Sequence, residues 1–145
     1  MSVFDFNLKN QHDRDVNLAD LKGRKFLLSF HPLAWTPVCN VQMKDLDERF
    51  DLFMAKGIVP YGVSIDQQFC KKAWAEHLGL KKLELLCDFW PHGALAESLG
   101  CFIAKAGISG RQNYPIGPDG EVLWPKRHEI KEQPDFDRIF QEMPA

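Results

Sequence analysis

The sequence predicts a single α/β domain in which a mixed central sheet is flanked by helices. Short apolar runs, typical of buried strands, alternate along the chain with longer segments whose apolar residues recur every three or four positions, as in helices. A hairpin and a last helix follow this alternation, and a sheet covered by helices buries both kinds of element. No linker, internal repeat or low-complexity stretch divides the chain, so we expect one domain over residues 1–145.

The first elements are two strands. Phe4, Phe6 and Leu8 alternate with polar residues, which predicts a short strand, and residues 10–14 form a polar turn after it. Residues 25–30 are a compact apolar run that stops before Pro32, which predicts a buried strand.

A long helix is predicted over residues 36–56. Thr36 is a favourable N-cap, Pro37 suits the first helical position, and Gly57 suits the position just past the end. The apolar residues within it are spaced by four, three, four and three positions, which gives one buried stripe: Cys39, Met43, Leu46, Phe50 and Phe53.

The second half repeats the alternation and ends in a hairpin and a helix. We predict, in order, a strand over 58–65, a helix over 67–78 with Asp66 as its N-cap, a strand over 83–87, a helix over 92–99, a hairpin of strands 111–116 and 121–124 around a turn at 118–120, and a helix over 135–143.

Composition excludes several classes of function. The chain is 45% hydrophobic and 26% charged, as in ordinary globular proteins. Its 18 basic and 20 acidic residues give a net charge of −2, so we expect no nucleic-acid partner and no membrane partner. The apolar runs are far shorter than the ~20 residues that span a bilayer. The N-terminus lacks the pattern of a secretory signal, so we expect a cytoplasmic protein.

The four cysteines, at positions 39, 70, 87 and 101, contain no Cys-x-x-Cys pair and show no metal-ligand spacing with the histidines. We therefore predict separate thiols, with Cys87 and Cys101 buried and Cys70 more exposed. The neighbouring Lys71 and Lys72 are expected on the solvated surface.

Cys39 differs from the other thiols in its position. It lies in the first turn of a long predicted helix, where unpaired amides and the helix dipole favour an anion. A thiol so placed is expected to be a thiolate at neutral pH. From position alone, an inert thiol that begins the apolar stripe is an equally good interpretation.

The sequence also resembles the peroxiredoxin family. Residues 32–39, Pro-Leu-Ala-Trp-Thr-Pro-Val-Cys, match the family signature Pro-x-x-x-Thr-x-x-Cys between a strand and a helix. Residues 62–66 resemble the family's next strand-to-helix junction, and residues 107–111 resemble the segment that carries its active-site arginine. Residues 86–94 are similar to the one-cysteine group typified by mycobacterial alkyl hydroperoxide reductase E. The likeness covers nearly the whole chain and favours a catalytic Cys39.

This resemblance implies a thioredoxin-like fold and an antioxidant enzyme that reduces hydrogen peroxide or organic hydroperoxides through a sulfenic acid on Cys39. The implied reaction requires no metal, haem or flavin. The implied catalytic residues are Cys39, Thr36, Arg111 and Pro32, and the implied substrate-binding residues are Val38, Trp35 and Gln42. Arg111 suits the role because it is always cationic and rich in donors.

Two residues depart from the family pattern. Gln42 stands where many members have glutamate, and it can still hydrogen-bond Arg111 but adds no charge. His31 stands where an aromatic residue is common, and we interpret it as a wall of the pocket rather than an acid–base group. The resemblance also implies a homodimer, for which Trp35, Phe89 and Trp90 could be apolar anchors.

The sequence favours a one-cysteine mechanism with an external thiol reductant, of the thioredoxin, glutaredoxin or low-molecular-weight type. If an internal disulfide forms instead, Cys70 is the first candidate for the resolving cysteine and Cys101 the second. A non-enzymatic thioredoxin-like module, which binds a partner or senses oxidation, remains the alternative function.

Overall fold

The structure, a computed structural model, describes residues 2–143 of the chain. Its helices are α1 (Pro37–Glu48), α2 (Phe50–Ala55), α3 (Gln68–Leu78), α4 (Ala94–Leu99) and α5 (Phe136–Glu142). Its strands are β1 (Asn7–Asn10), β2 (Asp15–Asn17), β3 (Lys25–Phe30), β4 (Ile58–Ser64), β5 (Glu84–Cys87), β6 (Phe102–Ile103), β7 (Ile108–Ser109), β8 (Arg111–Ile116) and β9 (Lys126–His128).

Seven of these strands form one mixed sheet in the order β2-β1-β5-β4-β3-β8-β9, and β6 and β7 form a separate small pair. The three central strands β5, β4 and β3 are parallel, while β1 and β8 join them antiparallel. The carboxyl ends of the parallel strands therefore meet at one edge of the sheet, where α/β proteins place their ligand sites. The predicted α/β architecture, a mixed sheet between helices, is confirmed.

The sheet separates two apolar cores. Phe26, Leu28 and Phe30 of β3 face one core, which α4 and two short 3-10 helices cover, whereas Leu27 faces the other core, beneath α1, α3 and α5. This alternation follows from the two-residue period of a strand, and both faces of a central strand are consequently apolar. Cys39 lies in the second core.

Met43 of α1 packs directly against the backbone of β4 because residue 62 is glycine. A Cβ added to Gly62 would lie 2.3 Å from the sulfur of Met43 and 2.8 Å from Cδ2 of Leu85. Met43 follows Cys39 by one helical turn. The absence of a side chain at Gly62 therefore sets the height of the cysteine-bearing turn above the sheet.

The long helix predicted over residues 36–56 is two helices. The chain leaves α-helical geometry at Arg49 (φ −100°, ψ 7°), whose amide turns back to the carbonyl of Leu46. The Arg49 guanidinium pairs with both carboxylate oxygens of Asp137 in α5. This contact joins segments 88 residues apart, so a local pattern could not reveal it.

The predicted hairpin has a different second strand. Val122 forms a single bridge with Ile116, and the regular partner of β8 is β9, in which Lys126 lies opposite Asn113. Three residues separate the two positions on β8 but four separate them on the other segment, so a bulge that contains Pro125 interrupts the ladder. The predicted strand over 121–124 is therefore wrong.

Two smaller differences occur at element starts. The predicted strand around Phe4 begins instead as a 3-10 helix (Val3–Asp5), because the side chains of Ser2 and Asp5 cap each other's backbone amides. Asp66 does not cap α3, because the side chain of Gln67 accepts from the amides at the start of that helix.

Candidate active site

Cys39 is the third residue of α1 and is completely buried. The segment between β3 and α1 brings it to the edge of the sheet where the parallel strands end. Pro37 occupies the first helical position, and Thr36 is the N-cap residue in extended conformation, as predicted. The orientation of the helix places its positive end at the cysteine, which favours a thiolate.

Arg111 lies beside the sulfur. It is the first residue of β8, the strand that pairs with β3, and its Nη1 is 3.4 Å from the Sγ of Cys39. Only 3% of the residue is exposed, and its Nε donates to the carbonyl of Ile130 at 2.9 Å. A hydrogen bond between a cation and sulfur is strongest when the sulfur is ionised, so this contact favours the thiolate.

Gln42 holds Arg111 in place. Its Oε1 accepts a hydrogen bond from the Nη1 of Arg111, and its Nε2 donates to the Oγ of Ser29 at 2.8 Å and to the carbonyl of Phe30 at 3.2 Å. The predicted bond between Gln42 and Arg111 is confirmed. Because Gln42 is fully buried beneath the arginine, its contacts are with the protein itself.

The loop before Cys39 is tied down at both ends. The Thr36 hydroxyl donates to the carbonyl of Leu33 at 2.8 Å and does not cap the helix, so the amides of Val38 and Cys39 receive no bond from it. The Oδ2 of Asp66 accepts from the amide of Ala34 at 2.8 Å. Asp66 therefore clamps the cysteine loop to the end of β4, a role that the sequence did not indicate.

The other predicted site residues line this loop. Pro32 is buried next to the end of β3, and Val38 is partly exposed in the first helical turn. Trp35 is half-exposed, has a positive φ of 74°, and lies against the ring of His77, with the two centroids 5.2 Å apart. The structure thus brings all of the predicted catalytic and substrate-binding residues to one edge of the sheet.

Lys71 is fully buried, whereas the sequence predicted that it lies on the surface. It lies on the core-facing stripe of α3 with Trp74, Ala75 and Leu78, at spacings of three, four and seven residues. This spacing was visible in the sequence, but the neighbouring Lys72 suggested an ordinary charged surface pair. The Nζ of Lys71 lies 2.7 Å from the Nε2 of His31.

His31 is also completely buried, directly after β3. Its amide donates to the carbonyl of Val63, and its carbonyl accepts from the hydroxyl of Ser109. Burial, followed by the charges of Lys71 and Arg111, holds the pKa of His31 well below its usual range. The ring is therefore neutral.

The remaining cysteines are free thiols, and their exposures agree with the prediction. Cys87 and Cys101 are each 5% exposed, whereas Cys70 is half-buried near the start of α3. Burial raises the pKa of Cys87 to about 11 and that of Cys101 to about 12. Both are protonated at neutral pH, so neither competes with Cys39 as a nucleophile.

Comparison with known proteins agrees with this geometry. Residues 2–124 match the sequence profile of the AhpC/TSA family. The chain belongs to this family. As an AhpC/TSA protein it is a thiol-dependent peroxidase and has the thioredoxin-like fold that the resemblance implied.

Individual relatives of this AhpC/TSA protein come from different bacteria. Alkyl hydroperoxide reductase E of Mycobacterium tuberculosis is 33% identical over 119 residues, which cover 81% of this chain and 77% of that protein. Alkyl hydroperoxide reductase C of Staphylococcus haemolyticus is 27% identical over 118 residues, 81% of this chain and 62% of that protein.

The solved structures show the same fold at lower identity. The crystal structure of Enterococcus faecalis AhpC superposes with a TM-score of 0.89 at 23% identity, over 98% of this chain and 87% of that one. The reduced 2-Cys peroxiredoxin of Plasmodium vivax gives a TM-score of 0.86 at 23% identity, over 93% and 74% of the two chains. Within residues 2–143, no helix is long and apolar enough to cross a membrane, and no His, Cys, Asp and Glu side chains cluster as a metal site.

Proposed function

We propose that Cys39 is the peroxidatic nucleophile of this thiol peroxidase and that its substrates are hydrogen peroxide and organic hydroperoxides. The thiolate attacks one peroxide oxygen, so that an S–O bond forms while the O–O bond breaks. The electron pair of the O–O bond leaves on the second oxygen, which takes up a proton and departs as water or an alcohol. Cys39 is oxidised to a sulfenic acid, and the peroxide is reduced.

The observation that carries the proposal is the 3.4 Å contact between the Nη1 of Arg111 and the Sγ of Cys39. A guanidinium held by Gln42 and the Ile130 carbonyl does not need to reorganise when charge moves from sulfur to oxygen. It can therefore stabilise both the thiolate and the stretched O–O bond.

Backbone amides and a hydroxyl are available for the peroxide oxygens. In the first turn of α1, the amide of Asn40 is bonded to the carbonyl of Thr36, while the amides of Val38 and Cys39 have no side-chain cap. Such amides form an anion site at a helix N-terminus. The Thr36 oxygen, whose hydrogen is committed to Leu33, retains lone pairs that can accept from the proton of a hydroperoxide.

Stopped-flow mixing with hydrogen peroxide and with an alkyl hydroperoxide tests the assignment. We expect Cys39→Ser to lose peroxide consumption by more than about a thousandfold, because it removes the nucleophile. Cys70→Ser is the matched control and should stay within about threefold of the parent. If Cys39→Ser consumed peroxide as fast as the parent, the nucleophile would be another residue. A parent protein that does not turn over peroxide would favour the non-enzymatic module.

We further propose a one-cysteine mechanism in which an external thiol restores Cys39. Cys101 belongs to the core on the opposite face of the sheet from Cys39, so the sheet lies between the two sulfurs. Cys70 lies on the same side as Cys39, but it is on a different helix. The external thiol first forms a mixed disulfide and releases water, and a second thiol then releases reduced Cys39.

Mass spectrometry after one equivalent of peroxide, without added thiol, separates the two mechanisms. The one-cysteine mechanism predicts the gain of one oxygen atom on Cys39, trapped by a sulfenic-acid reagent. Loss of two hydrogen atoms, with a Cys39–Cys70 crosslink that is absent from Cys70→Ser, would establish an internal disulfide instead.

We propose that the protein works in the cytoplasm as a homodimer. The four free thiols suit a reducing compartment, and the net charge of −2 offers no basic surface for nucleic acid or anionic lipid. Trp35 follows β3, and Phe89 and Trp90 follow β5, so these exposed aromatic side chains lie at the edge of the sheet that carries Cys39. Exposed aromatic residues around a site are typical of an interface.

A further inference from the structure

Lys71 is a buried ammonium group for which packing alone gives no explanation. The residue is 0% exposed, and lysine is rarely buried without a partner because removal of its charge from water is costly. Its Nζ lies 2.7 Å from the Nε2 of His31 and 5.4 Å from the centroid of the Trp74 ring. A neutral histidine and an aromatic face solvate a cation but do not neutralise it.

The surroundings of Lys71 connect it to the cysteine site. His31 precedes Pro32 of the cysteine loop, and Trp74 donates from Nε1 to the Oδ1 of Asn40, the residue after Cys39, at 2.6 Å. The carboxylate of Asp66, which clamps the cysteine loop, acts electrostatically on Lys71. Lys71 is therefore linked through His31 to the loop that precedes Cys39, and through Trp74 to helix α1, which carries Cys39.

Burial disfavours the charge of Lys71, whereas the carboxylate of Asp66 and the thiols Cys87, Cys39 and Cys70, when ionised, favour it. Cys87 stays protonated at neutral pH, because burial raises its pKa to about 11. Asp66 then supplies the standing negative charge. Cys39 is the thiol whose ionisation the reaction requires, so its thiolate and the Lys71 ammonium stabilise each other.

His31 also lies near Arg111, the cation that contacts the Cys39 sulfur directly. Both Lys71 and Arg111 lower the pKa of His31, and His31 therefore lies within the fields of two cations.

We propose that Lys71 is a positioning residue that supplies a second, buried positive charge to the Cys39 site, with neutral His31 as its hydrogen-bond acceptor. This inference rests on the proposed function, because it assigns a role toward the Cys39 thiolate.

A consequence of this arrangement is a reciprocal dependence of the two charges. Burial lowers the pKa of Lys71 to about 8, and the negative charges around it oppose that shift. The free energy by which Lys71 stabilises the Cys39 thiolate equals the free energy by which the thiolate stabilises the Lys71 ammonium, because the coupling between two sites is reciprocal. Oxidation of Cys39 to a neutral sulfenic acid removes that support, so Lys71 should lose its proton at lower pH in the oxidised enzyme.

The first experiment compares Lys71→Met with Lys72→Met, which removes the same charge from the exposed neighbouring position. Both are made in a Cys70→Ser background, so that ultraviolet thiolate absorbance between pH 5 and 9 reports Cys39. We expect Lys71→Met to raise the ionisation midpoint of Cys39 by about half to one pH unit, and Lys72→Met to leave it unchanged.

The rate of peroxide reduction should follow the same shift. Lys71→Met is expected to be about threefold to tenfold slower below the midpoint and to converge with the parent at high pH, where Cys39 is fully ionised. A purely structural role would lower the rate equally at every pH. Equal midpoints in Lys71→Met and Lys72→Met would overturn the proposal.

A second experiment leaves Lys71 in place, in case the methionine variant does not fold. Carbon-13 NMR of labelled lysine side chains gives the titration of Lys71 in the parent and in Cys39→Ser. We expect a lower pKa for Lys71 in Cys39→Ser, because the thiolate is absent. Identical titrations, with Cys39→Ser inactive toward peroxide, would overturn this proposal alone. An active Cys39→Ser would instead overturn the proposed function.

Discussion

At the scale of single residues, the contact between Arg111 and Cys39 depends on Gln42. The amide group of Gln42 uses its oxygen for the guanidinium and its nitrogen for Ser29 and the backbone of β3. The arginine is thereby connected to the strand that precedes the cysteine loop. Gln42 has no charge, so the full positive charge of Arg111 remains available to the sulfur.

Replacement of Gln42 by leucine should therefore impair both stability and catalysis. Gln42→Leu removes the amide oxygen that accepts from the buried Nη1 of Arg111, which keeps only its contact with the Cys39 sulfur, and removes the donor to the hydroxyl of Ser29. The loss of these buried hydrogen bonds should cost about 1–3 kcal/mol of the free energy of unfolding. We expect a decrease of about tenfold or more in the rate of peroxide reduction. Urea denaturation and stopped-flow fluorescence measure the two effects, and Gln141→Leu, at an exposed position of α5, is the control. An unchanged rate would show that Arg111 needs no such support.

His31 should make the folded state sensitive to acid. Its pKa is lowered in the folded protein, so between that value and about 6.5 the unfolded chain binds a proton that the folded chain does not. The free energy of unfolding should consequently fall as the pH falls below about 6.5, by up to ~1.4 kcal/mol per pH unit. His31→Gln, which retains an acceptor for Lys71, should show a shallower decline in urea denaturation between pH 5 and 7. Parallel curves for parent and variant would contradict this account.

At the scale of the elements, the close approach of α1 to β4 is the feature that determines where the first turn of α1 lies. That approach requires glycine at position 62, because the sulfur of Met43 occupies the place of a Cβ. The cysteine-bearing turn is thus positioned by a contact that Met43 makes one helical turn after Cys39, on the same buried face of α1.

Gly62→Ala should push α1 away from the sheet. We expect a loss of about 1–3 kcal/mol in the free energy of unfolding, together with slower peroxide reduction. Met43→Ala alone should cost about 2–5 kcal/mol because it leaves a cavity. The double variant Gly62→Ala/Met43→Ala should be more stable than the sum of the two changes predicts, since the new methyl group fills part of that cavity. Strict additivity in denaturant unfolding would show that the helix adjusts freely.

At the scale of the whole molecule, the exposed aromatic residues are concentrated where the parallel strands end. Trp90 is 80% exposed, Trp35 46% and Phe89 44%. Such side chains are costly to leave in water on an isolated chain. A second copy that covers them would also border the cysteine loop.

Sedimentation at micromolar concentration should therefore show a dimer. Trp90→Lys should shift the population toward the monomer, because a charged side chain replaces an apolar anchor in the contact. Leu52→Lys changes an equally apolar residue that is 53% exposed on α2 and should leave the dimer intact. A parent protein that sediments as a monomer would refute the proposed assembly.

Much of the site could be predicted from sequence because its signals are local. The N-cap threonine, the proline after it and the cysteine occupy one helical turn, and the strand before them is a continuous apolar run. Asp66 lies at the predicted junction between β4 and α3, but it binds the cysteine loop and does not cap α3. Its partner, the amide of Ala34, is 32 residues away, and no local pattern records such a bond.

The features that escaped sequence analysis depend on contacts between distant segments. Lys71 occupies a core-facing helical position, and its ammonium group has a hydrogen-bond partner there in the buried ring of His31, 40 residues earlier. The second strand of the hairpin was misplaced because its pairing with β8 depends on a bulge around Pro125 rather than on its apolar residues. The burial of Lys71 and the pairing partner of β8 are both determined by tertiary contacts.

The two buried thiols provide internal reporters of how the molecule opens. Cys101 belongs to one core, whereas Cys87, which alternates with Leu86 along β5, faces the other side of the sheet. Each is protonated and shielded in the folded state, so an alkylating reagent can reach it only during an opening that exposes it. Labelling rates at the two positions therefore measure the opening free energy of each core separately. Equal values would mean that the sheet melts as one cooperative unit, and unequal values would identify the layer that detaches first.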